Sequence, residues 1–106
     1  MKRVEMFCLP TGKVPTREWL ESLDPVSRRR IYSMVDRVAL GGSKANVKAL
    51  GGSIFEIKID HGPGFRLYFG EADNVMILLL LGGDKSSQRR DIEQARMYWR
   101  QYVSQR

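Results

Sequence analysis

The sequence is poor in residues that form covalent cross-links or bind metals. It contains one cysteine, Cys8, and one histidine, His61, in 106 residues. A single cysteine excludes an intramolecular disulfide, and one Cys with one His is too few for the common zinc ligand sets. We therefore predict no bound metal and no cofactor, and we expect a reducing compartment.

Long hydrophobic segments are also absent. The longest apolar run, residues 75–81, has seven residues, whereas a helix that spans a bilayer needs about 20. Lys2, Arg3 and Glu5 place charges where a signal peptide would be apolar. We expect neither a targeting segment nor a membrane anchor, and hence a cytoplasmic protein without a membrane partner.

Familiar catalytic motifs are missing as well. The sequence shows no Ser-His-Asp arrangement and no Walker loop, and Gly62-Pro63-Gly64 does not lie between a strand and a helix as a phosphate-binding loop does. Basic residues, in contrast, are abundant: 18 Lys and Arg against 12 Asp and Glu give a net charge of +6 at pH 7. A basic globular chain favours nucleic acid as its partner. Cationic side chains are therefore the candidates for the functional site.

The length predicts a single domain, residues 1–106. Apolar patterns bounded by turn residues predict strands at residues 4–9, 53–60, 64–71 and 74–81. The last three strands are joined by short turns and form an antiparallel meander. The final strand is apolar on both faces, which predicts a central position in the sheet.

Three helices complete the predicted fold. Thr16 caps a short helix, Asp24 is the N-cap of a second, and Ser86 or Ser87 caps a C-terminal helix. Residues 41–53, rich in Gly, Ser, Ala and Lys, are predicted to be a connector. The result is an α+β fold, in which an N-terminal helical hairpin packs on a small, mainly antiparallel four-stranded sheet with a C-terminal helix.

The meander predicts a cluster of cations. Each of its first two strands has one apolar face, and an odd, short loop between them places Lys58 next to Arg66, with Tyr68 on the same face. Like charges opposite each other in a sheet are destabilising, so an anionic partner would explain the pair. Lys85 follows the central strand and precedes a helix N-terminus, a natural place for an anion.

Three cations around one phosphate suit metal-independent cleavage of RNA. In this reaction the ribose 2′-hydroxyl attacks the adjacent phosphorus, so the enzyme must transfer protons and stabilise the extra negative charge. Lys58, Arg66 and Lys85 are the predicted catalytic cations. His61 either acts as an acid or base, since histidine titrates near neutral pH, or merely shapes the turn.

Other residues are candidates for contacts with RNA. Tyr68 either stacks on a base or bonds a phosphate, or it packs across the strands. Lys44, Lys48, Arg28 and Arg29 can contact the phosphate backbone. Solvated surface cations show the same pattern.

Two short strings carry a resemblance to a known family. They are Gly-Pro-Gly-Phe-Arg at residues 62–66 and Gly-Gly-Asp-Lys-Ser at residues 82–86. With these strings and the order of its predicted elements, most of the chain resembles the addiction-module killer proteins, a HigB-like branch of the RelE/ParE toxin superfamily. The resemblance implies the RelE-like fold.

It also implies an activity and partners. Such a toxin belongs to a type II toxin–antitoxin pair, enters the ribosomal A site and cuts mRNA during translation. An antitoxin, often a helix-turn-helix protein of the HigA kind, holds it inactive. The basic catalytic residues of RelE-like toxins correspond to Lys58, Arg66 and Lys85, but Glu56 stands where RelE has a further lysine, and no tyrosine matches the late stacking residue of RelE.

Two other functions remain open. A ParE-like poison of DNA gyrase has the same fold but needs no catalytic cations on the sheet, so the presence of the three cations argues against it. A non-enzymatic binding module for nucleic acid or protein, such as a phage accessory component, is the alternative of a different class.

Overall fold

The computed structural model describes residues 2–42, 45–73 and 76–105. In chain order the elements are β1 (Arg3–Met6), α1 (Pro15–Glu21), α2 (Pro25–Ala39), β2 (Val47–Gly51), β3 (Ile54–Ile59), β4 (Phe65–Ala72), β5 (Met76–Gly83), a 3₁₀ turn (Lys85–Ser87) and α3 (Gln88–Ser104). No helix in these ranges combines the length and the apolar character needed to cross a membrane.

The strands form one mixed sheet in the order β1-β5-β4-β3-β2. The pairings among β2, β3, β4 and β5 are antiparallel, while β1 runs parallel to β5. The α+β class and the meander are confirmed, and β5 lies inside the sheet as its two apolar faces predict. The prediction of four strands is wrong, because the sheet has five.

The fifth strand, β2, lies within the predicted connector at residues 41–53. Its backbone pairs with β3 although only Val47 and Leu50 are sizeable apolar residues. An edge strand packs on one neighbour only and needs fewer apolar side chains than a central one, so its sequence pattern is weak.

Of two predicted N-cap residues, Asp24 caps its helix and Thr16 does not. Asp24 caps α2 as predicted, since its carboxylate accepts hydrogen bonds from the Ser27 backbone N–H at 3.1 Å and from the Ser27 hydroxyl at 2.6 Å. These bonds favour the ionised carboxylate and lower the pKa of Asp24. Thr16 does not cap α1; it lies buried within the first turn, after Pro15.

Apolar side chains form one core cluster on each face of the sheet. The first core cluster joins α1 and α2 to the sheet, and the second joins α3 to it. The first includes Leu20, Ile31, Val35, Val38, Ile57, Ile59, Phe65, Leu67, Phe69, Ile77 and Leu79, and the second includes Phe7, Tyr68, Ala72, Met76, Leu78, Leu80 and Ala95. Ile57, Ile59 and Leu67 therefore share a face as predicted, which leaves Lys58 and Arg66 on the face of α3.

Tryptophan rings lie directly on two glycines of the sheet. A Cβ atom added to Gly82 would lie 2.1 Å from Cε3 of Trp19, and one added to Gly70 would lie 2.1 Å from Cε3 of Trp99. Both distances are far shorter than any real carbon contact. The glycines thus allow a helix to pack against each face of the sheet.

We expect Gly82→Ala to lower the free energy of unfolding by about 2 kcal/mol, because the new methyl group overlaps the Trp19 ring. The same change in a Trp19→Ala background should cost much less, because the ring is gone. Chemical denaturation of the four proteins of this double-mutant cycle measures both values. An equal cost in the two backgrounds would contradict the contact.

Candidate functional site

The register of β3 and β4 places two cations side by side. Lys58 is directly opposite Arg66, and Arg66 is directly opposite Gly83 on β5. The predicted neighbourhood of Lys58 and Arg66 is confirmed. Lys58 is exposed to solvent, whereas Arg66 is 8 % exposed.

Arg66 is held from two sides. Its Nη1 donates a hydrogen bond to the carbonyl oxygen of Gly64 at 3.0 Å. Its Nε lies 3.7 Å from Oε1 of Glu56, a carboxylate that is itself buried. The other oxygen of Glu56 accepts a hydrogen bond from Nε2 of Gln88, on the first turn of α3, at 2.9 Å. Nε makes no hydrogen bond within the described part of the chain, so the Gly64 carbonyl and the ion pair with Glu56 fix the position of the guanidinium, while a small part of Arg66 stays exposed.

Lys85 follows the end of β5 and lies close to Arg66. A Cβ atom added to Gly64 would lie 3.7 Å from Nη1 of Arg66 and 4.0 Å from Cβ of Lys85. Arg66 and Lys85 thus border the same glycine, and Lys58 lies across the ladder from Arg66. The structure brings the three predicted catalytic cations together at one end of the sheet.

Asp84 shapes the turn that carries Lys85. Its carboxylate accepts hydrogen bonds from the backbone N–H and the hydroxyl of Ser86, and these bonds lower the pKa of Asp84. Ser87 precedes α3 but its side chain makes no capping hydrogen bond to that helix. Ser87 is thus the N-cap residue of α3, as predicted, although its side chain supplies no capping bond, and Asp84 is the capping side chain of the preceding 3₁₀ turn.

His61 lies on the other side of the sheet from the cations. It lines a cavity between α2 and the end of β3, and its ring centre is 6.4 Å from that of Phe65, a residue of the first core cluster. Arg66, the next residue after Phe65, points to the opposite face. His61 therefore lies on the side of the sheet that α2 covers, and within the described residues no side-chain contact joins it to the three cations.

Tyr68 is fully buried in the second core cluster. A base cannot stack on a side chain with no exposed surface, so the proposed contact with RNA is wrong and the cross-strand packing role is the one that the structure shows. Burial, and then the nearby carboxylates of Glu56 and Asp91, raise the pKa of Tyr68. The alternation along β4 predicted correctly which face of the sheet carries Tyr68. That face is covered by α3.

The other candidates for RNA contacts are dispersed. Lys48 is exposed on β2 directly opposite Glu56, two strands away from Arg66. Arg28 and Arg29 lie on α2, which covers the opposite face of the sheet, so the structure does not bring them to the cations. Lys44 lies outside the described residues.

Comparison with known proteins shows the family. The family described as "Phage derived protein Gp49-like (DUF891)" matches residues 18–99. The chain belongs to the Gp49-like family. This family is RelE-like and is associated with toxins of toxin–antitoxin systems. An uncharacterized protein of Haemophilus influenzae is 36% identical over 80 residues, which cover 74% of this chain and 80% of the relative. Neither comparison supports the HigB-like branch in particular.

Two site residues of this Gp49-like protein carry a sequence signal that is easily missed. Glu56 is a charged residue between the apolar residues Phe55 and Ile57 of β3, and its carboxylate is the partner of Arg66. Gln88 precedes Ile92 by four residues and Ala95 by seven. It therefore lies on the same face of α3 as these apolar residues, the face that packs against the sheet. A polar residue in that stripe indicates a buried hydrogen-bond partner.

No metal-binding cluster is evident in ranges 2–42, 45–73 and 76–105, where no three His, Cys, Asp or Glu side chains are placed to share an ion.

We expect Tyr68→Phe to leave the free energy of unfolding unchanged or slightly higher. The hydroxyl is buried near the carboxylate of Glu56 but makes no hydrogen bond of ordinary geometry in the described part of the chain, so its removal should cost little. Tyr68→Ala is the control and should cost about 3–5 kcal/mol, because it leaves a cavity. Urea denaturation tests both. A loss above about 1 kcal/mol in Tyr68→Phe would show that the hydroxyl does have a partner.

Proposed function

We propose that this Gp49-like protein is the toxin of a type II toxin–antitoxin pair and cleaves mRNA on the ribosome by a metal-independent mechanism. The observation that carries the proposal is the convergence of Lys58, Arg66 and Lys85 at one end of the sheet. Membership of a family associated with toxin–antitoxin toxins supports the same reading.

In the proposed reaction the 2′-hydroxyl oxygen of the ribose forms a bond to the adjacent phosphorus and releases its proton to water, and the bond from phosphorus to the 5′-oxygen breaks as that oxygen takes up a proton. The products are a 2′,3′-cyclic phosphate and a 5′-hydroxyl. Arg66 binds the phosphoryl oxygens through its planar guanidinium, and Lys85 adds a second charge to them. Both charges oppose the extra negative charge of the transition state.

Lys58 is assigned to proton transfer in this proposal. It is the exposed cation that lies beside the fixed Arg66, so it can approach the leaving 5′-oxygen and protonate it. His61 was the other candidate for this role. Its place in the cavity beside α2 favours Lys58.

The partners in this proposal are the ribosome, its mRNA and a cognate antitoxin. The net charge of +6 favours docking on RNA. A helix-turn-helix antitoxin of the HigA kind, encoded beside the toxin, is the expected inhibitor. Acidic groups of the antitoxin would neutralise the cations that bind the phosphate.

Arg66→Ala and Lys85→Ala should each lower the rate of mRNA cleavage by about a hundredfold or more, because each removes a charge preorganised for the transition state. Cells that express either variant should keep growing. Lys85 is exposed, so Lys85→Ala is expected to fold normally even if loss of Arg66 leaves Glu56 buried and unpaired. Thermal melting of each purified variant checks this.

The control for these variants is Arg100→Ala, which removes an exposed charge from the far part of α3. It should arrest growth as the unmodified protein does. Full toxicity in both Arg66→Ala and Lys85→Ala, with normal protein levels, would refute the catalytic assignment.

We expect new 5′ ends to appear within translated mRNAs soon after induction of the protein. Primer extension detects them, and an inhibitor that keeps ribosomes from initiating should abolish them, because the proposed cut depends on translation. Growth arrest with intact messages and broken DNA would instead indicate a ParE-like poison of gyrase. Growth without arrest would indicate a binding module.

A further inference from the structure

A cavity of about 180 Å³ opens between α2 and the end of β3, with charged side chains around a partly apolar lining. Arg30 and Arg37 line it from the helix, and Asn46, Asp60 and His61 line it from the segments next to the ends of β2 and β3. It lies on the face of the sheet opposite to Arg66, and the proposed reaction uses none of its residues.

The charges of this cavity favour an anion. Two guanidiniums face one carboxylate, that of Asp60. Neither Arg30 nor Arg37 forms an ion pair within the described ranges of the chain. Exposed arginines that line a concave site without an acidic partner are suited to phosphate oxygens, which accept two parallel hydrogen bonds from a guanidinium.

The spacing of the arginines favours a chain of phosphates over a single small anion. Arg30 and Arg37 are two helical turns apart, or about 10 Å along the axis of α2. Two charges separated in this way match an extended polyanion better than one inorganic phosphate.

The remaining lining suits a nucleobase. Met34 and Ile59 contribute apolar surface, and His61 contributes an aromatic ring that is half-buried. Bases of single-stranded RNA stack on such rings. The cavity therefore combines a surface for a base with cations for the phosphates on either side of it.

The cavity is close to the proposed catalytic cations. The backbone N–H of Lys58 donates a hydrogen bond to the carbonyl oxygen of Asn46 at 2.8 Å, and Asn46 lines the cavity. Asp60, two residues after Lys58, lines it as well. A strand of RNA can therefore pass from one site to the other around the end of β3.

We propose that this cavity is a second RNA-binding site, which holds a nucleotide that flanks the scissile phosphate. Arg30 and Arg37 bind the phosphodiester backbone, and His61 stacks on the base. This assignment rests on the proposed ribonuclease function. It gives His61 a role in substrate binding, apart from the transfer of protons.

Binding of a short single-stranded RNA with methylated 2′-hydroxyls tests the proposal, because this probe lacks the nucleophile and cannot be cleaved by the proposed reaction. Fluorescence anisotropy gives its affinity for the full chain over a range of salt concentrations. The variant Arg30→Ala/Arg37→Ala should bind about tenfold more weakly, and its slope of log affinity against log salt should be smaller by about 1.4.

The matched control is Arg17→Ala/Arg100→Ala, which also removes two exposed arginines but leaves the cavity intact. Its loss of affinity should be less than half as large on a logarithmic scale. Equal losses of affinity in the two double variants would overturn the proposal, because the effect would then reflect net charge alone. No loss in either variant would also overturn it, because the arginines of the cavity would then not contribute to binding.

His61→Ala provides an independent test. It should weaken binding of the probe by about fivefold or more, because a stacked base is lost, and it should not affect an abasic form of the probe. Equal effects on both probes would overturn the stacking role. None of these measurements includes cleavage, so a failure of the ribonuclease function would leave the binding result interpretable.

Discussion

A buried guanidinium is the group on which the candidate site depends. Arg66 is 8 % exposed, and a charge taken out of water is tolerated only when it is paired and hydrogen-bonded. Glu56 and the carbonyl of Gly64 supply the partners, and Gln88 of α3 in turn holds Glu56. The position of the cation is therefore tied to the packing of a helix, so the contacts that close the second core also orient the site.

The start of α3 is fixed on the sheet by a second contact. A Cβ atom at Gly83 would lie 2.0 Å from Oδ2 of Asp91 and 2.7 Å from Oγ of Ser87. The absence of a side chain at Gly83 lets these polar groups lie on the end of β5. Because the turn that carries Lys85 lies between β5 and α3, its two ends are held in place, and Lys85 stays near Gly64.

Much of this arrangement could be predicted from local patterns. Alternation and an odd loop determine the register of two adjacent strands, which is why the pair of Lys58 and Arg66 could be predicted without any knowledge of the tertiary fold. The cap at Asp24 is also a local signal. The parallel pairing of β1 with β5 could not be predicted in this way, since the two strands lie far apart in sequence. The edge strand β2 is adjacent to β3 in sequence, but its apolar pattern is too weak to predict a strand.

The errors at the site share one physical cause. Alternation shows which side chains lie on the same face, but it does not show what covers that face. One of the two roles predicted for Tyr68, the contact with RNA, needs an open surface, and α3 covers that face. His61 follows the end of β3, where the strand alternation that fixes a side chain's face no longer applies, and its ring lies toward α2. Tertiary packing decides such positions, and a single sequence contains little information about it.

The distribution of carboxylates explains why the cations remain available for an external anion. Glu56, the acidic residue nearest to Arg66, is buried and holds both the guanidinium and Gln88. Asp84, beside Lys85, is occupied by hydrogen bonds to Ser86, which keep its carboxylate turned to the backbone of the turn. These two acidic groups thus serve the fold: Glu56 pairs with the buried side of Arg66, and Asp84 caps the turn that carries Lys85. An anion from outside the chain can supply the charge that the protein itself does not.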